Sequence, residues 1–525
     1  MRMSGLRWSG AKIASLIMTA VWSLWGQPAG YDQPYRPQFH FSPRINWTND
    51  PNGLVYFDGE YHLFFQFNPF GDQWGHMSWG HAVSADLVHW EELPVAIPEG
   101  GGVMIFTGST VVDEHNTSGF CTGGKPCTVA VYTGHTPGAG SNKSLQTQNL
   151  AYSNDRGRTW AKYAGNPVLD LHMSDFRDPK VFWSRQAKRW TMVVALPDEH
   201  KVRFYASPDL KQWKLISEFG PAGGTGGQWE CPELFELPVE GEANRTRWVL
   251  KIGLNPGSLQ GGSGEQYFVG DFDGTRFTNA NPASLTLWTD YGKDCYCALT
   301  FNHLPPGHSQ TMLGWMSNWQ YAGKLPMGPW RGQMTFPRKL ALRNTVDGLR
   351  LVQLPVDEIA RLHESRTARL EGRVAEVNAV LNAATAKGNR ELVDLTSTFT
   401  LGNAREVGWR VLVSGDSSTT VGYDRERQEL FIDRTRSGVT GFSPDFPARI
   451  IAPLKLTDPK LLQIQILIDR SSVEVFAEGG RLAMTSLVFP LPGRRGMEAY
   501  ELGGKAERVA VDAWALASIW RASKQ

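Results

Sequence analysis

The sequence predicts an all-β chain: a five-bladed β-propeller followed by a C-terminal β-sandwich. Three observations predict it. Turn-forming residues are in excess, with 55 Gly and 31 Pro in 525 residues, about one in six where about 12% is ordinary. Short alternating runs separated by hairpin signals dominate after residue 36, and long helical periodicity is scarce. A turn signature also recurs. It reads Ser84-Ala-Asp86-Leu-Val-His-Trp90, Ser153-Asn-Asp155-Arg-Gly-Arg-Thr-Trp160, Ser207-Pro-Asp209-Leu-Lys-Gln-Trp213 and, more loosely, Asp271-Phe-Asp273-Gly-Thr-Arg-Phe277. Its aromatic positions lie 70, 53 and 64 residues apart. A unit of about 60 residues therefore repeats, and five such units fit between residues 38 and 350. Four-stranded blades around an axis are the natural architecture for them.

The elements follow in order. Residues 1–30 read as a secretory signal: Arg2, Arg7 and Lys12 precede the apolar run 13–26, and Gln27, Pro28, Ala29 and Gly30 end it. The run falls short of the about 18–20 apolar residues a membrane span takes, so a secreted protein without a membrane span is expected. Residues 36–345 form the propeller, opening with a hairpin of 54–57 and 61–67 around Asp58-Gly59. A linker follows over 346–370. Residues 371–525 form the sandwich, with strands at 408–414, 419–423, 429–433, 462–469 and 473–477.

Charge and cysteines narrow the function. Lys and Arg number 53 against 52 Asp and Glu, so no global field draws nucleic acid or an anionic membrane. The 20 Trp suit a packed β fold or a site that stacks sugar rings. Cys121 and Cys127 flank a short Gly/Lys/Pro loop and can close a small disulfide. Cys295 and Cys297 share one face of a strand, where bridging each other is awkward. Cys231 has no obvious partner. No pair has zinc-ligand C-x₂-C spacing, and neither a metal nor an organic cofactor is assigned.

Three acidic motifs carry the chemistry. In Asn49-Asp50-Pro51-Asn52-Gly53, the proline holds Asp50 out of the helical region. Asn52-Gly53 then reads as a tight turn that puts Asp50 at the mouth of a hairpin, with Asn49 a donor beside it. In Asp175-Phe176-Arg177-Asp178-Pro179, another carboxylate precedes proline with Arg177 alongside. In Trp229-Glu230-Cys231-Pro232, Glu230 sits between apolar neighbours. Poor hydration there raises a carboxyl pKa, as a general acid requires near neutral pH. One protonated and one ionised carboxyl are what breaking a glycosidic bond needs. Phe67, Trp74, Trp79 and Phe106 are candidate walls of a sugar pocket, with Phe64 and Phe65 assigned to the core.

These motifs resemble those of glycoside hydrolase family 32, the β-fructosidases, over nearly the whole chain from His40. The resemblance implies a propeller joined to a sandwich. It implies Asp50 as nucleophile, Asp178 as the residue that binds fructose hydroxyls and stabilises the transition state, and Glu230 as acid/base. Gln66, Trp74 and Trp315 match substrate-lining positions. Phe106-Thr107-Gly108-Ser109 matches a segment that usually reads F-S-G-S, so Thr107 stands where the family has Ser. Arg177 is expected to keep Asp178 ionised. The implied reaction is retaining, exo-acting release of terminal fructose from levan- or inulin-type fructans and from sucrose. A dedicated sucrose invertase, fructosyl transfer and a non-catalytic carbohydrate-binding propeller are the alternatives. Oligomeric state is left open.

Overall fold

The computed structural model describes residues 30–138, 143–388 and 390–520. The expected signal lies outside them apart from Gly30. Among the described residues no helix is long and apolar enough to cross a membrane.

Five sheets of four or five strands occupy the first part of the chain. Their first strands are Asn46–Phe57, Met104–Asp113, Arg177–Ser184, Gln228–Pro238 and Tyr296–Thr300. Each packs against the next, and the fifth returns to the first, so these five strands ring a common axis. A two-residue strand, Trp330–Arg331, pairs parallel with the start of Asn46–Phe57 and ties the end of the ring to its beginning.

The recurring turn is the joint between the third and fourth strands of the first four blades. Asp86 Oδ1 accepts the backbone N–H groups of Val88 and His89. Asp209 does the same for Lys211 and Gln212, and Asp273 for Thr275 and Arg276. An Asx side chain here substitutes for missing ladder bonds. The trailing Trp160 and Trp213 each donate their indole N–H back into the turn. The fifth blade keeps a shortened version, Thr345-Val-Asp347-Gly348, in which Asp347 N–H donates to Thr345 Oγ1.

The boundary differs from the expected linker over 346–370. Gly348–Pro355 pairs along its length with Arg338–Thr345 and is the outer strand of the fifth blade. His363–Gly372 is already an edge strand of the sandwich, paired with Arg508–Leu516. Only the short 3₁₀ turn Asp357–Leu362 and its flanks connect the two. Composition marks turns but not which sheet a strand joins, so the connection is shorter than the sequence predicts.

The sandwich packs a six-stranded sheet on a five-stranded one around a core that includes Trp409, Phe399, Ile466 and Val475. Its single long helix among the described residues, Val374–Lys387, buries Val374, Val377 and Leu381. Asn378 of that helix donates to Ala499 O and accepts from Ala499 N–H, which covers the edge strand Gly496–Leu502.

Propeller and sandwich are joined by buried charge. Arg338 binds Asp290 at 2.8 Å and also Glu474. His40 lies between Asp469 and Glu474, at 2.8 Å from each. Arg434 of the sandwich pairs with Asp294 of the propeller. Burial costs each ion its hydration, so these groups are tolerable only because every one is paired. Gly292 belongs to the same seam: a Cβ there would meet Thr485 O at 2.1 Å.

Candidate active site

The same irregularity falls on all five inner strands. Their ladders with the second strands break register at Thr48/Pro51, Ile105/Gly108, Arg177/Lys180, Glu230/Glu233 and Tyr296/Leu299. A bulge bends the strand and re-aims the side chain at the break. Asp178, Cys231 and Cys297 take left-handed backbone angles of 62°, 48° and 45° there. The sequence reading of a hairpin turn at Asn52-Gly53 is corrected by this geometry. Asn46–Phe57 is one continuous strand, and Gly53, at φ 54°, sits in a second register break. Glycine is required there, because a Cβ would meet Thr110, Phe64 and Trp79 within 3 Å.

The bulges turn Asp50, Thr107, Asp178 and Glu230 toward one cavity of about 250 Å³. Its other lining residues are Asn49, Gln66, Trp74, Phe106, Arg177, Asn255 and Trp319. Of the residues singled out in the sequence, Trp315 does not line the cavity. It is fully buried with no exposed surface, and the cavity wall is formed instead by Trp319, four residues on. The motif Trp315-Met-Ser-Asn-Trp319 offers two indoles, and only the end of strand Thr311–Trp315 decides which one reaches the cavity. Phe67 and Trp79 are likewise core. Trp74 stands at the rim, 47% exposed, edge-on to Phe106, which itself stacks on His135 at 4.5 Å.

The carboxyls are held differently. Asp50 Oδ2 accepts from Thr107 Oγ1 at 2.8 Å, while its buried Oδ1 has no hydrogen-bond partner among the described residues. Burial pushes the Asp50 carboxyl up to about 7; the Thr107 bond pulls it down, and the charge of Glu230 pushes it up again. Asp178 Oδ2 accepts the Cys231 N–H at 3.1 Å. Its carboxyl is also raised by burial, with Arg177 opposing the shift and Glu230 and Asp50 adding to it. Each of these two carboxyls thus feels Glu230, which places all three within electrostatic reach of one another.

Glu230 is less enclosed than its neighbours suggested, with 17% of its side chain exposed. Strand alternation explains this: Trp229 points away into a separate core cluster. Glu230 Oε1 accepts from Arg177 Nη2 at 2.8 Å, and Oε2 accepts from the Tyr296 hydroxyl. Arg177 bridges further to Asp175 at 2.6 Å and to Gln228 at 2.8 Å, and its Nε lies 3.6 Å from Asp178.

Cys231 has a partner that sequence reasoning missed. It forms a disulfide with Cys297, across 66 residues of sequence. The bond joins the bulge that follows Glu230 to the bulge that follows Tyr296, locking the carboxyl and its tyrosine in one register. Cys121 and Cys127 form the short-loop disulfide, and Cys295 is free and buried. Asp50 and the sulfurs of Cys231 and Cys297 cluster closely enough to suggest a metal site, but sulfurs tied in a disulfide offer no thiolate to an ion. Tyr296, between two cysteines, and Asn255, before a proline, were the available signals for the two missed polar residues. Trp319 was visible as the second indole of its motif.

Comparison with known proteins settles the family. The family model described as glycosyl hydrolases family 32 N-terminal domain matches residues 40–355, and that described as glycosyl hydrolases family 32 C terminal matches residues 359–515. The chain belongs to glycosyl hydrolase family 32. This family 32 enzyme is 46% identical over 496 residues to a levanase of Bacillus subtilis, covering 93% of this chain and 72% of the levanase. It is 42% identical over 518 residues to an extracellular exo-inulinase of Aspergillus niger, covering 93% and 96%. Its structure is similar to that of the Aspergillus awamori exo-inulinase, with a TM-score of 0.85 and 39% identity over 94% of this chain and 100% of that one. It is also similar to a β-fructofuranosidase of Schwanniomyces occidentalis complexed with fructosyl-erythritol, with a TM-score of 0.81 and 33% identity over 93% and 99%.

Proposed function

We propose that this family 32 hydrolase is a retaining, exo-acting β-fructofuranosidase that releases terminal fructose from levan- and inulin-type fructans and also cuts sucrose. The observation that carries the reading is the convergence of Asp50, Asp178 and Glu230 from three blades onto one cavity of about 250 Å³. That volume suits a single terminal furanose rather than a run of units.

Asp50 attacks the anomeric carbon through Oδ1, which has no hydrogen-bond partner among the described residues. Glu230 protonates the departing oxygen. The carboxylate it becomes is received by Arg177 and the Tyr296 hydroxyl, which already contact its two oxygens. Water then releases the fructosyl group, with Glu230 as base, a sequence that calls for carboxyls about 5–5.5 Å apart. Asp178 accepts from ring hydroxyls, and more strongly as positive charge develops on the ring. Burial and neighbouring like charge both push the Asp50 and Asp178 carboxyls up, so the cavity disfavours ionising these two together. The exo-inulinase relative is named as extracellular, and secretion fits a polymer substrate that cannot enter the cell.

Fructose release from levan, inulin and sucrose tests the reading. Fructose as sole early product from both polymers is expected. Long oligosaccharides as first products would refute exo action, and no fructose from any of the three would refute the function.

A further inference from the structure

The inner strands carry a second cavity at their other ends. Asp50, Thr107 and Asp178 lie near the starts of three inner strands. Tyr56, Val111 to Asp113, and Phe182 with Trp183 lie near the ends of the same strands, and they line a cavity of about 580 Å³ together with residues 302–306. At about 3.3 Å per residue the two sites are about 15–20 Å apart. Buried Lys180, Glu233 and Thr300 fill the axis between them, with Lys180 Nζ 3.1 Å from Glu233 and 2.8 Å from Thr300 O. The second cavity is therefore no extension of the catalytic pocket, and its volume is more than twice as large.

Its walls have the chemistry of a sugar site. Trp183 is half-buried and braced edge-on by Trp190 at 5.0 Å, while Trp190 spends its own N–H on Thr117. His303 bridges Tyr56 O at 3.1 Å and Glu114 at 3.0 Å, so one wall is fixed. The Asn302 amide nitrogen is committed to Thr110 O and Val181 O, leaving its oxygen as an acceptor. His115 and Arg185 supply donors at the rim. The Asp113 carboxylate is already occupied by Thr117 and Ser118, and Arg185 lines the same space as Asp113 and Glu114, so both signs are present. An indole with mixed donors and acceptors and charges of both signs suits a neutral, polyhydroxylated ligand.

We propose that this cavity is a second carbohydrate site that binds a segment of the fructan polymer away from the catalytic pocket. The proposal rests on the fructosidase reading above. A second foothold raises the local concentration of chain ends, so it acts on polymer and not on sucrose.

The test is a calorimetric titration of the full-length Asp50→Ala protein with short inulin-type and levan-type oligosaccharides. Two sites per chain are expected for at least one of them, falling to one in Asp50→Ala/Trp183→Ala. Because Trp183 packs on Trp190, Arg185→Ala serves as the surface variant, and it weakens the second site about tenfold while the first is unchanged. In the active enzyme, Arg185→Ala raises KM for high-molecular-weight fructan several-fold and leaves sucrose kinetics alone. One site per chain in Asp50→Ala, or two sites that neither variant alters, would overturn the proposal while leaving fructose release intact. Failure of the active enzyme to release fructose from any fructan would instead overturn the reading on which it rests.

Discussion

Replacing Thr107 by valine keeps the shape of the side chain and removes one hydroxyl. That hydroxyl donates to Asp50 Oδ2 at 2.8 Å in a buried setting. It stabilises the ionised form, and so opposes the burial that pushes the carboxyl up to about 7. A hydrogen bond to a charged group contributes about 1.5–3 kcal/mol. Since one pH unit corresponds to about 1.4 kcal/mol, its loss moves the ionisation up by about 1–2 units. A nucleophile works only when ionised, so kcat/KM falls as pH drops through this ionisation. The acid limb of the kcat/KM profile, which reports the free enzyme, therefore shifts to higher pH in Thr107→Val and stays near its original position in Thr107→Ser. Asp178 feels the charge of Asp50, so the limb belongs to the pair, but the direction of its shift belongs to the lost bond. The assay is initial-rate fructose release at low sucrose concentration across the pH range. A Thr107→Val enzyme that is folded and active on its plateau, with an unmoved acid limb, would refute the role given to this bond and to Asp50.

Three further outcomes follow from the same geometry. Glu230→Ala loses about 10²–10⁴-fold in kcat/KM on sucrose and far less in kcat/KM, which reports only the first step, on a fructosyl donor whose leaving group needs no proton; equal losses in kcat/KM on both would remove Glu230 as the acid. The Cys231–Cys297 bond closes 66 residues, and chain entropy alone assigns such a loop about 4 kcal/mol. Cys231→Ala, Cys297→Ala and the double variant are expected to lose the same stability in denaturant titrations, and additive losses would show that no bond joins them. The buried pair of His40 and Glu474 makes stability depend on pH at both ends. His40 is raised from 6.5 to about 9, so its contribution is complete below pH 6.5 and is lost as pH rises through 9. Glu474 is lowered from 4.5 to about 2, so its contribution is complete above pH 4.5 and is lost as pH falls toward 2. Unfolding free energy therefore peaks between these limits, and Glu474→Gln flattens the peak; an unchanged pH profile in that variant would contradict the assignment.

Much of the fold could be read from local chemistry because a propeller repeats it. The Asp-closed turns at residues 86, 155, 209 and 273 satisfy their own backbone within a few residues, so their spacing counted blades without any long-range information. Asp50 and Asp178 stood out for a related reason: each precedes a proline that breaks the ladder, which is where a strand can turn a side chain toward the axis. What stayed hidden depends on register or on distant pairing. The environment of Glu230 follows from strand alternation, which sends Trp229 to the opposite face. The choice of Trp319 over Trp315 depends on where one strand ends. The Cys231–Cys297 pair joins two bulges that only the closed ring brings together. The expected linker over residues 346–370 is instead the turn and outer strand of the fifth blade and the first strand of the sandwich, because composition does not say which sheet a strand will join.

The central claim is that Asp50 and Glu230 act on the same furanose ring, one as nucleophile and one as acid/base. The most direct test mixes Glu230→Ala with a β-fructofuranosyl fluoride, quenches in acid, and maps the digested protein by mass spectrometry. With the base for the second step removed, the account predicts a fructosyl group accumulating on the peptide that contains Asp50. Continued fluoride release with no covalent adduct, or an adduct on a peptide containing Asp178 instead, would contradict it.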